Sequence, residues 1–327
     1  MLMHILLLLV GLALLAKGGE LFVAAAVRLA EFLRMPRVVI GSTLVSLATT
    51  TPELVVSIMA GAKGAPELAV GNAVGSCICN VGLVLGLTAA FKHIDVNPAA
   101  LRIPLIAMFT FGATLMLMTL DLGLSRRQGM TLICGGAVYF VYDFVKYARD
   151  VKPSHIAEAA VIEAAATSRL DWFRGKPGTT VQFLLGAGTV VLGSRVLVDA
   201  AVALASALGL PSILIGLTIV AVGTSLPELI TAVTSSRQAV SDLAVGNVLG
   251  ANIANLTIIV GTAAVLSEVT MRRVTHSFNF LALLGLFAVL LWMLLSERRV
   301  SRKEGVTLVV LYNLYIAGLV LLSAALK

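Results

Sequence analysis

The sequence predicts an all-α polytopic membrane protein with ten transmembrane helices, arranged as two inverted five-helix repeats. Three observations lead to this fold class. Hydrophobic residues make up 59% of the chain and charged residues only 13%, whereas a soluble domain carries about a quarter charged residues. The apolar runs are about 20 residues long, which suits membrane-crossing helices and not the shorter alternating strands of a barrel. Residues 36–86 recur at 211–261 with a constant offset of 175.

The ten predicted spans follow the apolar runs in chain order. They cover residues 2–27, 38–62, 67–90, 101–120, 127–147, 180–207, 212–236, 242–266, 276–295 and 304–326. The first run resembles the apolar part of a signal peptide, but no Lys or Arg precedes it. Its Gly11 and Gly18 also recur as Gly186 and Gly193 at the same offset. We therefore assign it to the repeat.

The repeat divides the chain into two halves and a linker. Residues 1–147 form the first five-helix repeat, with its core at 36–86, and residues 180–327 form the second, with its core at 211–261. Because five is an odd number, the second repeat enters the membrane from the opposite side, as in many secondary transporters. The linker at 148–179 is too short to build a core of its own.

The basic residues predict the orientation. With the amino terminus outside, 16 Lys and Arg residues lie on the inner side and 6 on the outer side. This bias places both termini outside and the linker in the cytoplasm of a multi-pass protein of the cell (plasma or inner) membrane. The net charge of +7 therefore reflects topology in a lipid bilayer and does not indicate nucleic-acid binding.

Two broken helices are predicted near the middle of the second and seventh spans. Thr49–Glu53 reads Thr-Thr-Thr-Pro-Glu, and Thr224–Glu228 reads Thr-Ser-Leu-Pro-Glu. Each proline interrupts the helix, and inside a membrane such a break is tolerated where the freed backbone lines a cavity or finds another partner. Each glutamate then begins the next half-helix, where the helix dipole favours an anion. The oxygen donors predicted here are Ser46, Thr49, Thr50, Glu53, Ala221, Thr224, Ser225 and Glu228.

The third and eighth spans add amide groups. Gly-Asn-x-x-Gly at Gly71–Gly75 recurs at Gly246–Gly250, and the runs end at Asn80 and Asn255. The paired glycines allow helices to approach closely. Pooled over both copies, the set contains carboxylates, hydroxyls, amides and carbonyls without thiolates or histidines. Such oxygen sites suit hard cations, Ca²⁺ above all, and could also hold Na⁺.

Each polar residue has a structural explanation when taken alone. A lone Thr in a span usually bonds its own helix backbone, and a lone Glu could be protonated and structural. The recurrence of the same polar pattern in both halves favours a binding site, because polar groups at membrane depth are costly.

At these residues the chain resembles the cation/calcium exchanger superfamily, and within it the prokaryotic sodium/calcium exchangers. The resemblance covers both repeats, and Gly223–Glu228 matches the family's Gly-Thr-Ser-x-Pro-Glu pattern in full. It implies that Glu53 and Glu228 bind Ca²⁺ and also serve Na⁺, and that the first and sixth spans slide as a gate. The further ligands that it implies are the carbonyls of Thr49 and Thr224, Na⁺ ligands at Ser46, Thr50, Ser76, Ala221 and Ser225, and central amides at Asn80 and Asn255.

Four positions depart from the family pattern. Ala48 replaces a Gly and Thr51 an apolar residue, so the first broken turn is expected to differ in shape. Ala251 replaces a Ser and removes a candidate Na⁺ ligand. Asn255 stands where potassium-dependent relatives carry Asp, which argues against potassium coupling.

The predicted function is an antiporter, not an enzyme, that exchanges Na⁺ for Ca²⁺ by alternating access. The alternative is an H⁺/Ca²⁺ antiporter in which protons neutralise the same glutamates. A cation channel and an intramembrane enzyme are less favoured, because inverted repeats and broken helices are typical of transporters and the spans hold no nucleophile–base pair. We expect no cofactor beyond the transported ions and no nucleic-acid partner. The oligomeric state stays open, although a monomer would suffice for transport.

Overall fold

A computed structural model describes residues 2–33, 35–62, 66–95, 98–149, 176–207, 221–271, 273–297 and 299–325. Most of the predicted linker, and residues 212–220 of the predicted seventh span, lie outside the described residues. The same holds for the start of the second repeat core, at 211–220.

The described chain is almost entirely helical. In the first half, the elements are α1 (Leu2–Leu33), α2 (Arg37–Thr49), α3 (Thr51–Ala62), α4 (Pro66–Cys79, continuing to Phe91), β1 (Ile94–Asp95), α5 (Pro98–Met118), β2 (Gly123–Leu124) and α6 (Arg126–Arg149). In the second half, they are α7 (Lys176–Ala207), α8 (Ala221–Thr224), α9 (Leu226–Arg237), α10 (Ser241–Ala254, continuing to Leu266), β3 (Val269–Thr270), α11 (Arg273–Glu297), β4 (Arg299–Val300) and α12 (Arg302–Ala325).

Among the residues that the structure describes, three helices contain π-helical turns. They occupy Gly41–Val45 in α2, Asn80–Leu85 in α4 and Asn255–Ile259 in α10. The last two begin at the asparagines that end the repeated Gly-Asn motif. Such turns are frequent at functional sites, and they shift the side chains that follow out of the regular helical register.

The membrane-spanning character is clear from helix length and hydropathy. Within the described ranges, seven helices are long and apolar enough to cross a membrane. Helices α2 and α3 add an eighth when counted as one span, and they are bent by 41° relative to each other. Helix α6 covers the predicted fifth span but is not one of the seven. The structure is therefore that of a multi-pass membrane protein, and the count of ten spans stays a prediction.

The chain forms two compact units, and each unit draws on both halves of the sequence. The first unit contains Met1–Pro52 and Val138–Asn247, and the second contains Glu53–Ala137 and Val248–Lys327. The predicted domains instead divide the chain in sequence order into residues 1–147, 148–179 and 180–327. That division stays a prediction.

In the first unit, α1 and α7 pack side by side in antiparallel directions. A Cβ added at Gly11 would lie 2.8 Å from the Leu197 Cβ, and one added at Gly186 would lie 2.7 Å from the Phe22 Cα. Adding 175 to Gly11 gives Gly186, and subtracting 175 from Leu197 gives Phe22. The two halves thus make the same close contact with their roles exchanged.

The second unit shows a related exchange. The strand β1 pairs antiparallel with β4, and β2 pairs antiparallel with β3. Gly82 lies against Tyr312, and Gly136 lies against Thr257, the residue 175 positions after Gly82. Contacts between an early and a late segment therefore occur twice in this unit as well.

Candidate ion-binding site

The first broken helix satisfies its freed carbonyl within its own turn. Pro52 has no amide hydrogen, so the carbonyl of Ala48, four residues earlier, loses its helical donor. The Thr51 hydroxyl donates to that carbonyl at 2.9 Å. Because an unpaired carbonyl is costly at membrane depth, this hydrogen bond stabilises the break between α2 and α3.

The second broken helix satisfies the equivalent carbonyl from a neighbouring helix. Pro227 frees the carbonyl of Gly223, and the residue matching Thr51 is Leu226, which has no hydroxyl. Ser194 of α7 donates to the Gly223 carbonyl instead, at 2.9 Å. Both breaks lie where the prolines predict them, between α2 and α3 and between α8 and α9.

The first unit buries one glutamate beside a threonine. Glu228 has 0% exposure and lies in the first turn of α9, where the positive end of the helix dipole stabilises its negative charge. The hydroxyl of Thr49, the last residue of α2, lies close enough to the Glu228 carboxylate to interact with it. Neither carboxylate oxygen has a hydrogen-bond partner among the described residues.

Acceptors outnumber donors around Thr49. Its hydroxyl is 3.1 Å from Asn247 Oδ1 and 3.3 Å from the Ser46 carbonyl oxygen, and the Glu228 carboxylate lies nearby. Because the Ser46 carbonyl also accepts from Thr50, the acceptors that depend on the hydroxyl hydrogen are Asn247 Oδ1 and the Glu228 carboxylate, and one hydrogen cannot satisfy both. The remaining oxygen lone pairs are electron-rich and buried, and a hard cation is the partner that satisfies them best.

The neighbouring hydroxyls direct their hydrogens toward backbone carbonyls. Thr50 Oγ1 donates to the Ser46 carbonyl at 2.8 Å, and Ser46 Oγ donates to the Ser42 carbonyl at 2.9 Å. The hydroxyl oxygens therefore keep lone pairs for a ligand. Ser225 Oγ is buried without a hydrogen-bond partner in the described part of the chain. Ala221 begins α8 and Thr224 ends it, so both lie on the helical turn just before this break.

The second unit contains the remaining predicted residues. Glu53 has 0% exposure, lies in the first turn of α3, and is near Cys77 of α4. Asn80 Nδ2 donates to Asn252 Oδ1 at 3.1 Å. The buried Asn80 Oδ1, Ser76 Oγ and Asn255 Oδ1 make no hydrogen bond to the residues that the structure describes. These are unsatisfied oxygen acceptors, which a bound cation could satisfy.

Sequence reasoning did not assign two of the asparagines to the site. Asn247 contacts Thr49, and Asn252 contacts both Asn80 and the Cys77 thiol. Asn247 could have been found, because it recurs as Asn72 in the repeated motif. Asn252 has Cys77 as its counterpart, so the repeat gives no signal for it.

Comparisons with known proteins identify the family of this chain. The family described as sodium/calcium exchanger protein matches residues 3–147 and 178–321, and the second stretch begins 175 residues after the first. Inner membrane protein YrbG of Escherichia coli is 34% identical over 298 residues, covering 89% of this chain and 90% of that protein.

Two sodium/calcium exchangers are similar over nearly their whole length. Sodium/calcium exchanger MaX1 of Methanosarcina acetivorans is 29% identical and aligns with 97% of this chain and 98% of its own. The solved structure of the sodium-calcium exchanger NCX_Mj superposes with a TM-score of 0.81 at 27% identity, covering 97% of this chain and 99% of that one. The chain belongs to the sodium/calcium exchanger family.

Proposed function

We propose that this protein is a secondary active antiporter that exchanges Na⁺ for Ca²⁺ across the cell membrane. Family membership supports antiport of Ca²⁺ against another cation. The observation that carries the finer proposal is the surplus of buried oxygen acceptors around Thr49 and Glu228. Hydroxyl, amide and carboxylate oxygens of this kind can coordinate Na⁺ as well as Ca²⁺.

The proposed mechanism rests on charge balance. One Ca²⁺ carries two positive charges, and the two repeats contribute one buried glutamate each, Glu53 and Glu228. We propose that both glutamates serve the same transported ion and that several Na⁺ ions replace one Ca²⁺. Without a cation, two buried carboxylates would have to cross in charged form, at a cost of several kcal/mol. Exchange is therefore favoured over the movement of an empty carrier.

The other predicted residues take the roles that family resemblance implies. The carbonyls of Thr49 and Thr224 are proposed Ca²⁺ ligands. Ser46, Thr50, Ser76, Ala221 and Ser225 are proposed Na⁺ ligands, with Asn80 and Asn255 at the centre. The unsatisfied oxygens of Ser76, Asn80 and Ser225 support this assignment for those three residues.

The proposed topology is ten spans in two inverted repeats of residues 1–147 and 180–327, with a cytoplasmic linker and both termini outside. The exchanged contacts support it, because Gly11 with Leu197 and Gly186 with Phe22 are the pairs that an inverted repeat would create. Alternating access then follows from movement of α1 and α7 as a gate, as in other inverted-repeat transporters. A monomer would suffice, and no cofactor would be required.

The deciding experiment measures ⁴⁵Ca²⁺ uptake into proteoliposomes that contain the purified protein. Outwardly directed Na⁺, K⁺ and H⁺ gradients are imposed separately, with protein-free liposomes as the control. We expect uptake driven by the Na⁺ gradient and little uptake with K⁺. Uptake driven by the pH gradient and indifferent to Na⁺ would reject Na⁺ as the coupling ion and support H⁺/Ca²⁺ antiport.

A further inference from the structure

The first unit contains a second buried carboxylate, Asp143, which is not part of the proposed site and whose counterpart in the second repeat is Gly318. Asp143 of α6 has 0% exposure, and its Oδ2 accepts a hydrogen bond from the Ser42 hydroxyl at 3.0 Å. Ser42, also 0% exposed, belongs to the π-helical turn Gly41–Val45 of α2. A carboxylate in this setting has a large desolvation cost, which a proton, a hydrogen-bonding or charged partner, or a bound cation can offset.

The surroundings of Asp143 only partly satisfy it. Its Oδ1 is buried and has no hydrogen-bond partner among the described residues. Lys146, one helical turn farther along α6, interacts with it electrostatically, but the Lys146 ammonium also lies 5.9 Å from the centre of the Tyr142 ring. One carboxylate oxygen therefore stays available to a cation.

Helix α2 connects this carboxylate to the candidate site. Ser46 Oγ donates to the Ser42 carbonyl, and the Ser46 carbonyl accepts from Thr49 and Thr50. Ser42 precedes Thr49 by seven residues, or about 10 Å of helix. A series of polar oxygens therefore runs along α2, from Ser42, which contacts Asp143, to Thr49, which lies near Glu228.

We infer that Asp143 is a further cation-binding residue, which binds the transported ion transiently between the cytoplasm and Glu228. The inference rests on the proposed function and topology, in which the start of α2 and the end of α6 both lie on the cytoplasmic side. An acidic residue on this path raises the local cation concentration and shortens the distance that an unpaired ion must cross. The ligand is a hard cation, Ca²⁺ or Na⁺, because the donors are carboxylate and hydroxyl oxygens.

The competing explanation is that Asp143 only ties α6 to α2 through Ser42. Two substitutions separate the explanations. Asp143→Asn removes the charge but keeps an oxygen that accepts the Ser42 hydrogen bond. Ser42→Ala removes that hydrogen bond but keeps the charge. Asp121→Asn is the matched control, since Asp121 also accepts one hydrogen bond, from the Gly123 amide at 3.2 Å, but is exposed.

The test measures the Ca²⁺ dependence of transport from each face, in everted and in right-side-out membrane vesicles. We expect Asp143→Asn to raise the KM for Ca²⁺ about tenfold in everted vesicles, where the cytoplasmic face is accessible. Tenfold is the low end of the roughly 10–10³-fold by which a charged cleft raises the local concentration of a counter-ion, and a single carboxylate at the cytoplasmic entrance should give an effect of that size at that face. In right-side-out vesicles the KM should change less than about twofold, and Asp121→Asn should behave as wild type in both.

Three results would overturn the inference. These are an unchanged KM for Asp143→Asn at the cytoplasmic face, an equal change at both faces, or an effect of Ser42→Ala as large as that of Asp143→Asn. The last would support the structural tie. If wild-type uptake follows a pH gradient and not Na⁺, the coupling-ion proposal fails. The ratio of the KM for Ca²⁺ at the cytoplasmic face to that at the outer face still tests Asp143. Wild-type vesicles that move no Ca²⁺ at all would reject both proposals.

Discussion

The two broken helices solve one structural problem in different ways. In the first, the carbonyl freed by Pro52 accepts a hydrogen bond from Thr51 of the same turn. In the second, the carbonyl freed by Pro227 accepts one from Ser194 of α7. Two departures from the family pattern, Thr51 and Ala48, both fall on the turn that supplies its own donor. The first break is thus locally stabilised, whereas the second depends on its contact with α7.

This difference suggests why two copies of one motif can carry different residues without losing the break. Each copy must pair the freed carbonyl, because an unpaired one is expensive inside a membrane. The donor can come from any element within reach. If α7 moves during transport, as proposed, the hydrogen bond between Ser194 and the Gly223 carbonyl is affected by that movement. The hydrogen bond from Thr51 stays within its own turn and does not depend on α7.

The largest expected effect concerns the buried glutamate that each repeat carries. Glu53→Gln and Glu228→Gln should each lower ⁴⁵Ca²⁺ transport by about a hundredfold or more, since truncating one partner of a buried charge pair costs about 2–5 kcal/mol. The double substitution should be no worse than either single one if both glutamates serve one ion. Glu67→Gln, which alters an exposed carboxylate that Thr270 contacts, is the control and should transport normally. Near-normal transport by either buried variant would remove that residue from the site.

The sequence anticipated the parts of the structure that depend on local chemistry. The prolines at 52 and 227 predicted both breaks, and the fixed offset identified which residues correspond. These features could be predicted because a missing amide hydrogen has the same local consequence in any helix.

Features that depend on how helices are rotated could not be predicted. The contacts of Asn247 with Thr49, and of Ser194 with Gly223, join residues 198 and 29 positions apart. Several amides and hydroxyls were equally eligible for each contact. Asp143 lies near the end of a predicted span beside Lys146, where a charge is usually explained by the membrane interface. The π-helical turns have no sequence signature of their own.

The second prediction tests the dependence of the second break on α7. A Cβ at Gly223 would clash with Val198 of α7, whereas the equivalent Ala48 already carries one. Gly223→Ala should therefore destabilise the protein by about 1–3 kcal/mol and reduce transport. Ala48→Gly should cost about 1 kcal/mol or less. Thermal unfolding in detergent and flux in vesicles measure both effects.

Val198→Ala provides the rescue for this prediction. It removes the methyl groups that the new Cβ would meet, so the double variant Gly223→Ala/Val198→Ala should regain most of the lost stability. A double variant as unstable as Gly223→Ala alone would show that the clash with α7 is not the cause.

The third prediction exchanges the donors of the freed carbonyls. Thr51→Val and Ser194→Ala each leave one carbonyl unpaired and should each cost about 1–2 kcal/mol in thermal stability. Leu226→Thr should restore the Ser194→Ala variant, because it places a hydroxyl three residues after Gly223, as Thr51 follows Ala48. Gly19, the counterpart of Ser194, cannot supply the reverse rescue, since a Cβ there would lie 2.6 Å from Ile230. If Leu226→Thr fails to restore stability, a hydroxyl on the same turn cannot replace the donor from α7 at the second break.

The smallest expected effect concerns Ser76 and its counterpart Ala251. Ser76 Oγ is buried without a hydrogen-bond partner in the described ranges, so its removal should not destabilise the protein and could stabilise it. If Ser76 is a Na⁺ ligand, Ser76→Ala should still raise the Na⁺ concentration for half-maximal exchange by about threefold, which corresponds to roughly 0.6 kcal/mol. Ala251→Ser should do the opposite, losing stability without Na⁺ and regaining it when Na⁺ is added. Thermal unfolding in NaCl and in choline chloride, which controls for ionic strength, measures how each substitution changes the stabilisation by Na⁺. A structural serine would instead change stability equally in both salts, and the difference between the repeats at this position would then have no bearing on ion binding.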